Sequence, residues 1–217
     1  MNPALRTSAA HVFVSSLDAP ELDPDDAHHL LRVLRLRDGE VVTVSDGNGG
    51  WRQCTIGGGA LVPDGAVIHE PAVTAVTIAA AIPKGDRVEW MVQKLTEVGV
   101  GEIVLLHCVR SAVRWDGERS QKQLAKLRKI AREAAMQSRR VWLPTVSGPV
   151  DYAEMAAREG AVVAEPDGTP FTGAALVIIG PEGGFSPDEL ALARATVCLS
   201  QQVLRIETAA VVAAIMA

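Results

Sequence analysis

The sequence predicts an α/β protein in two parts, a small β-rich N-terminal part and a larger domain with a mostly parallel sheet. Between about residues 10 and 70, short strand-like runs are separated by glycine-rich turns, which is typical of a small β-barrel or sandwich. From Pro71 onward, apolar strand-like runs alternate with helical ones, which indicates a parallel sheet with helices on both faces. We therefore expect residues 1–72 to form one domain and residues 73–217 a second.

Four strand-like segments account for most of the first domain. They are HVFV (11–14), EVVTVSD (40–46), WRQCTI (51–56) and AVIHE (66–70). The glycine-rich loop Asp46–Gly50 connects two of these segments and opens no helix. A hairpin turn is therefore favoured over a phosphate-binding loop.

Strands and helices alternate along the second domain. The predicted strands cover residues 73–82, 102–107, 161–165, 174–180 and 196–200. The predicted helices cover residues 86–98, 119–140 and about 150–158, and two more begin at Ser186 and near Glu207. In the first helix, Val88, Met91 and Leu95 share one face, and Gly99 follows as a stop signal.

The loop in IIGPEGGFSPDEL (178–190) is richer in glycine than a simple turn requires. Ser186, Pro187 and Glu189 have the spacing of a capping box, so Gly180–Phe185 connects a strand to a helix N-terminus. Ligands bind at that edge of open α/β sheets, and glycine lets the main chain approach a ligand closely. The alternative is a tight turn with Glu182 in solvent.

A second strand-to-helix loop lies in LSQQVLRIETAAVVAAIMA (199–217). The helix that follows it consists mainly of Ala and Val and has almost no polar face, so we expect it to be buried on nearly all sides. The alternative for its start is a local ion pair between Arg205 and Glu207 in an ordinary core helix.

The distribution of charge is uneven. The net charge of −5 argues against a generic nucleic-acid coat, but residues 119–140 carry eight Lys or Arg and one Glu, and RVLRLR (32–37) adds three Arg. An acidic protein with basic stripes can hold a polyanion on one face. A solvated helix face is the alternative. The candidate phosphate contacts are Arg32, Arg35, Arg37, Lys122, Lys126, Lys129, Arg139 and Arg140.

Several classes of protein are not indicated. Cys54, Cys108 and Cys198 lack Cys-x-x-Cys spacing and predict reduced thiols, with neither a disulfide framework nor a zinc site. No metal site is predicted. No apolar run is long enough to cross a bilayer and no signal peptide is indicated, so we expect a cytoplasmic protein without membrane contact.

The two loops together, IGPEGGFSPDE followed by LxxxxLRxETA, resemble the SPOUT superfamily of knotted methyltransferases. More closely, the chain resembles the family of 16S ribosomal RNA (uracil-N3) methyltransferases. Further matching stretches are HHLLRVLRLRDGE (28–40), IPKGDRVEWMVQKLTEVGVGEI (82–103) and KLRKIAREAAMQSRRVWLPTV (126–146). The resemblance covers nearly the whole chain in the right order.

The resemblance implies a PUA-like β-barrel that helps to bind RNA, followed by a SPOUT α/β domain with a deep trefoil knot. It also implies a homodimer that binds S-adenosylmethionine in the knot and acts on 16S rRNA of the small ribosomal subunit. Glu165 is a further candidate for the same pocket. The implied cofactor-binding residues are Gly180, Pro181, Glu182, Gly183, Gly184, Leu199, Ser200, Val203, Leu204, Arg205 and Thr208.

The implied reaction is methylation of N3 of a specific uridine. Arg205 would stabilise the oxygen that becomes enolate-like on the uracil, and Glu207 would orient the base or accept its proton. The chain departs from the family pattern at Ser200 and Gln202, which replace a Gly and an Arg. Two alternatives therefore stay open: methylation of another RNA atom, such as a ribose 2′-OH, and a non-catalytic RNA-binding factor for ribosome assembly.

Overall fold

The computed structural model describes residues 2–72 and 75–217, in two compact units. The first unit comprises Met1–Val73 and Arg132–Leu143, and the second comprises Thr74–Ala131 and Pro144–Ala217. Val73 and Thr74, where the predicted second domain begins, lie outside the described residues. The division into domains 1–72 and 73–217 stays a prediction, and the units differ from it in that residues 132–143 pack with the first unit.

The first unit contains a four-stranded sheet in the order β1-β2-β3-β4. Its strands are β1 (Ala10–Phe13), β2 (Val41–Ser45), β3 (Gly50–Gly57) and β4 (Ala60–His69). β1 and β2 are parallel, and the other pairs are antiparallel. All four predicted strands are confirmed, and so is the hairpin at Asp46–Gly50. Two short helices precede β2: α1 (Pro3–Thr7) and α2 (Pro24–His28), the latter continuing into a π-helical turn, His29–Val33.

The turn signal Pro63-Asp64-Gly65 does not end a strand. It lies inside β4, where Pro63 is opposite Cys54 and Asp64 is opposite Gln53. β4 is an edge strand of the sheet, and edge strands are where a proline is tolerated. The register of β3 against β4 shifts between Trp51 and Gln53. Because Pro63-Asp64-Gly65 was interpreted as a turn, the predicted strand begins at Ala66, whereas β4 begins at Ala60.

A buried ion pair ties residue 132 to the rest of the first unit. The Arg132 guanidinium donates to both carboxylate oxygens of Asp26 and, at 3.1 Å, to the carbonyl of Phe13. Asp26 is 5 % exposed. Loss of the arginine would leave a buried carboxylate without a counter-ion. This contact explains why the end of the basic helix belongs to the first unit.

His11 is a buried histidine at the centre of the first unit. Its Nε2 lies 3.0 Å from the carbonyl oxygen of Arg140, which can only accept, so Nε2 carries the proton. Nδ1 then accepts a hydrogen bond from the Thr43 hydroxyl at 2.8 Å. Burial is the main reason why the pKa of His11 is lowered to about 4. The histidine is therefore held in its neutral form.

The second unit contains a six-stranded sheet in which all pairs of neighbouring strands are parallel. The strand order is β10-β8-β9-β5-β6-β7. The strands are β5 (Thr77–Ala81), β6 (Glu102–His107), β7 (Thr145–Asp151), β8 (Ala161–Pro170), β9 (Leu176–Ile179) and β10 (Thr196–Cys198). β7 was not predicted, because its sequence, TVSGPVD, contains Gly and Pro and reads as a loop. The predicted parallel sheet is confirmed.

Five helices accompany the strands of this sheet. They are α3 (Arg87–Glu97), α4 (Gly117–Gln137), α5 (Tyr152–Ala156), α6 (Pro187–Leu192) and α7 (Ile206–Met216). All five were predicted within a few residues. The expectation that α7 is buried on nearly all sides is wrong for the single chain, because Ile215 is 67 % exposed and the fully buried residues, such as Ala210 and Ala213, lie on one face. No helix in residues 2–72 or 75–217 has the length and hydropathy of a membrane span.

We predict that His11 makes the free energy of unfolding depend on pH. The native pKa is about 4, below the ordinary 6.5, so protonation favours the unfolded state. The contribution of neutral His11 to the free energy of unfolding should be fully present above pH 6.5. The free energy of unfolding should then fall, by up to about 3 kcal/mol, as the pH drops toward 4. Urea titrations of the protein and of His11→Gln at several pH values measure this. Equal losses of stability in the two proteins would contradict the prediction.

Candidate functional site

A cavity of about 380 Å³ lies in the second unit, at the carboxyl ends of β9 and β10 and beside the middle of β8. The volume falls within the range of small-molecule sites, roughly 300–1,000 Å³. The lining residues are Ala164, Glu165, Pro166, Ile179, Gly180, Pro181, Glu182, Gly184, Leu199, Ser200, Gln202, Val203, Leu204, Arg205, Ile206 and Ala209. Apolar walls with few polar groups suit a flat, largely uncharged ligand such as a purine nucleoside.

The cavity brings together the two loops singled out in the sequence. The residues predicted for cofactor binding all line it, except Gly183 and Thr208, and Glu165 lines it as well. Sequence reasoning missed part of the apolar wall, namely Ala164, Pro166, Ile179, Ile206 and Ala209. Ala164 pairs with Ile179 in the sheet, so its place on the wall follows from the register of β8 against β9. Ile206 and Ala209 come from the start of α7.

The loop after β9 is fixed by the predicted capping box. The Ser186 hydroxyl accepts from the backbone N–H of Glu189 at 3.2 Å, and the Glu189 carboxylate accepts from the Ser186 N–H at 2.7 Å. Glu189 is 6 % exposed and also accepts from the backbone N–H of Val109 at 2.8 Å. One carboxylate therefore joins the start of α6 to the loop after β6.

Two glycines of this loop, Gly180 and Gly184, are favoured by the structure of the protein itself. A Cβ on Gly180 would come within 2.7 Å of the buried Phe185 ring, and a Cβ on Gly183 would come within 3.3 Å of the Arg110 side chain. Gly184 has φ +69°, a conformation that L-residues rarely adopt. Internal packing at Gly180 and backbone conformation at Gly184 thus favour glycine independently of any ligand. That these glycines let the main chain approach a ligand closely stays a prediction.

Ser200 occupies its position without backbone strain. Among the described residues other than glycine, only Arg35 and Arg139 have positive φ, so Ser200 needs no left-handed conformation. Its hydroxyl accepts from the backbone N–H of Gln202 at 3.1 Å, and its carbonyl lies 3.2 Å from the Cys198 thiol. The replacement of glycine by serine is thus compatible with a closed turn here.

Arg205 and Glu207, the predicted catalytic pair, have different surroundings. Arg205 is exposed, precedes α7 and lines the cavity. Glu207 is 7 % exposed and does not belong to the cavity wall. Its Oε1 lies 3.5 Å from Nη1 of Arg87, so the alternative of a local Arg205–Glu207 ion pair is wrong. Arg87, which the sequence analysis did not single out, also lies 3.4 Å from Glu182.

Glu165 is the titratable group of the cavity with a clear pKa shift. Burial and the neighbouring Asp167 raise the pKa of its carboxyl above the ordinary value. No group of three or more His, Cys, Asp or Glu in the described part of the chain could hold a metal ion.

Several basic side chains predicted to contact phosphate are engaged within the protein. Lys126 pairs with Glu89, and Arg139 donates to the carbonyl of Ser8 at 3.0 Å. Burial lowers the pKa values of Arg139 and Arg140. By contrast, Lys122 and the three arginines of RVLRLR, namely Arg32, Arg35 and Arg37, are exposed. Lys129 is also exposed but has an interaction within the protein.

Comparisons with known proteins agree on one family. A family model described as an RNA methyltransferase domain matches residues 69–217, and one described as an RNA methyltransferase PUA domain matches residues 22–60. Ribosomal RNA small subunit methyltransferase E of Mycobacterium bovis is 32% identical, over 88% of this chain and 83% of its own length.

Solved structures give the same result. The ribosomal RNA small subunit methyltransferase E of Neisseria gonorrhoeae, bound to S-adenosyl methionine, has a TM-score of 0.78 at 25% identity, over 94% of each chain. A protein of Legionella pneumophila, in complex with bound SAM, has a TM-score of 0.80 at 26% identity, again over 94% of each chain.

We predict that Gly180→Ala destabilises the protein by about 1–3 kcal/mol, because the added methyl group overpacks the ring of Phe185. Chemical denaturation of the purified variant measures the loss. The control is the same substitution in a Phe185→Leu background, where the smaller side chain leaves room and the additional loss should be clearly smaller. An equal loss in both backgrounds would show that the clash with Phe185 is not the cause.

Proposed function

The chain belongs to the RNA methyltransferase family whose model covers residues 69–217, and from this membership we propose that it methylates N3 of a specific uridine in 16S rRNA of the small ribosomal subunit. S-adenosylmethionine is the methyl donor in this proposal. The observation that carries it is the cavity in which the loops 180–184 and 199–205 meet, since these loops hold the residues that resemble the cofactor site of the family.

The cavity residues fit a nucleoside with a sulfonium group. The walls offer aliphatic side chains, such as Ile179 and Leu204, to a purine ring, and Gly180 and Gly184 bring main chain to the wall of the cavity. When bound, S-adenosylmethionine supplies an electrophilic methyl group on its sulfonium sulfur. The cofactor-binding roles of Gly180–Gly184, Leu199, Ser200, Val203, Leu204, Arg205 and Thr208 are part of the proposal.

Methyl transfer to N3 of uridine forms an N–CH₃ bond, breaks an S–CH₃ bond and releases the N3 proton. As that proton leaves, negative charge develops on the uracil oxygens. Arg205 is the exposed cation on the cavity wall and would stabilise this charge. Because Glu207 is buried and off the wall, we assign it an indirect role, and the proton passes to solvent.

The first unit serves as the RNA-binding part of the protein in this proposal. Its match to a PUA domain supports this, as do the exposed Arg32, Arg35 and Arg37. We also propose a trefoil knot, supported by the position of β8 between β9 and β10 in the sheet. A cytoplasmic location follows from a ribosomal substrate.

A homodimer is part of the proposal as well. Its support is the apolar surface on α3 and α7, which pack against each other. Trp90 on α3 is 45 % exposed, and Ile215 on α7 is 67 % exposed. A second copy that covers these side chains would remove that apolar area from water.

The reaction predicts a specific product. Labelled S-adenosylmethionine should methylate unmodified small ribosomal subunits or free 16S RNA, and nucleoside analysis should show 3-methyluridine. Comparison of the two substrates shows whether assembly is required. A 2′-O-methylated product would replace the N3 assignment. Bound cofactor and RNA without any transfer to either substrate would favour the non-catalytic assembly factor.

RNA affinity should depend on salt through the exposed arginines. Each phosphate contact contributes a slope of roughly 0.7–0.9 to the fall of log K with log salt concentration. Replacement of Arg32, Arg35 and Arg37 by Gln should therefore reduce the slope by about 2–3. Arg194→Gln, which removes another exposed arginine, is the control and should leave the slope unchanged. A triple variant with the original slope would exclude these arginines from RNA contact.

A further inference from the structure

Arg87 connects two carboxylates from distant parts of the second unit. It is the first residue of α3. Its Nη2 donates to Oε1 of Glu182 at 3.4 Å, and its Nη1 lies 3.5 Å from Oε1 of Glu207. Its Nε donates to the carbonyl of Lys84 at 3.1 Å, which fixes the plane of the guanidinium. The side chain is thereby held as a rigid fork between the two acids.

The two carboxylates are placed differently with respect to the cavity. Glu182 lies on the cavity wall, in the loop after β9. Glu207 lies in the first turn of α7 and is 7 % exposed. Its second oxygen, Oε2, is buried and has no hydrogen-bond partner among the described residues. The contact with Arg87 is therefore the compensation that the structure provides for the buried charge of Glu207.

This geometry couples the two loops of the cavity. Arg205, Ile206 and Ala209 line it from the start of α7, and Glu182 lines it from the opposite loop. Because Arg87 contacts Glu182 and Glu207 at once, it links the loop after β9 to the start of α7. Without Arg87, no contact among these side chains would link Glu182 to Glu207.

We propose that Arg87 is a positioning residue of the reaction, which holds Glu182 and the start of α7 in the arrangement that binds S-adenosylmethionine. The inference rests on the proposed function, since it assigns the cofactor to this cavity. Arg87 acts through Glu182 and Glu207 and is not itself a wall residue.

A purely structural role would give a different result from a positioning role. Arg87→Met alone leaves Glu207 buried and unpaired, and this destabilises the fold whatever the role of the arginine. The double variant Arg87→Met/Glu207→Gln removes the buried charge along with its partner. If Arg87 only neutralised Glu207, this double variant would regain both stability and cofactor affinity. If Arg87 positions the walls, it regains stability alone.

The experiment measures the thermal unfolding midpoint without ligand and the affinity for S-adenosylmethionine by calorimetry, without RNA. We expect the double variant to unfold near the temperature of the original protein and to bind S-adenosylmethionine about tenfold more weakly. Arg87→Lys keeps the charge but cannot span both acids as a planar fork, so its affinity should fall about threefold with little change in stability. Arg158→Met, which breaks the Arg158–Glu102 pair away from the cavity wall, is the matched control and should keep the original affinity.

Two results would overturn the inference. One is a stable double variant with the original affinity. The other is Arg87→Lys with the original affinity, and this result is decisive even if Arg87→Met and Arg87→Met/Glu207→Gln fail to fold. Failure of the proposed function gives a different result from failure of this inference, because the unaltered protein would then not bind S-adenosylmethionine at all.

Discussion

The parallel pairing of β8 with both β9 and β10 is the constraint on which the candidate site depends. In a parallel sheet the carboxyl ends of all strands lie at one edge, so the chain must leave β9 and β10 at the same place. β9 and β10 lie on opposite sides of β8 in the sheet. The loops that follow them, 180–184 and 199–205, are nevertheless neighbours, because both begin at the same edge of the sheet. The cavity results from this order of strands, and residues 164–166 of β8 line it between the two loops' strands.

Burial of charge is the second constraint on the site. Glu165, Glu189 and Glu207 are wholly or partly buried, and the structure accommodates each carboxyl group differently. Glu189 accepts backbone N–H groups from the start of α6 and from the loop after β6, Glu207 depends on Arg87, and Glu165 has a pKa that burial raises. The first is a local solution that the sequence specifies by a capping box. The second is a long-range solution that links the two loops, which is why we assign it a role in positioning.

Features that depend on neighbouring residues could be predicted from the sequence. The apolar face of α3 and the capping box of Ser186 and Glu189 are examples, since helical periodicity and cap geometry involve a few consecutive positions. The edge strand β4 was predicted to begin too late because Pro63 and Gly65 signal a turn unless the strand is known to be at an edge.

Long-range contacts could not be predicted in this way. Arg87 and Glu182 are 95 positions apart, and no local pattern relates them. The packing of residues 132–143 with the first unit depends in the same way on Arg132 and Asp26. The two loops of the cavity were brought together by the family resemblance, since periodicity alone predicts a parallel sheet but not the order of its strands.

A crystal structure of the protein grown with saturating S-adenosylmethionine tests the account most directly. The account predicts the adenosine between the loops 180–184 and 199–205, against Ile179 and Leu204, with Arg87 still in contact with Glu182 and Glu207. Cofactor bound at another place in the second unit, or bound in this cavity with Arg87 turned away from both carboxylates, would contradict it.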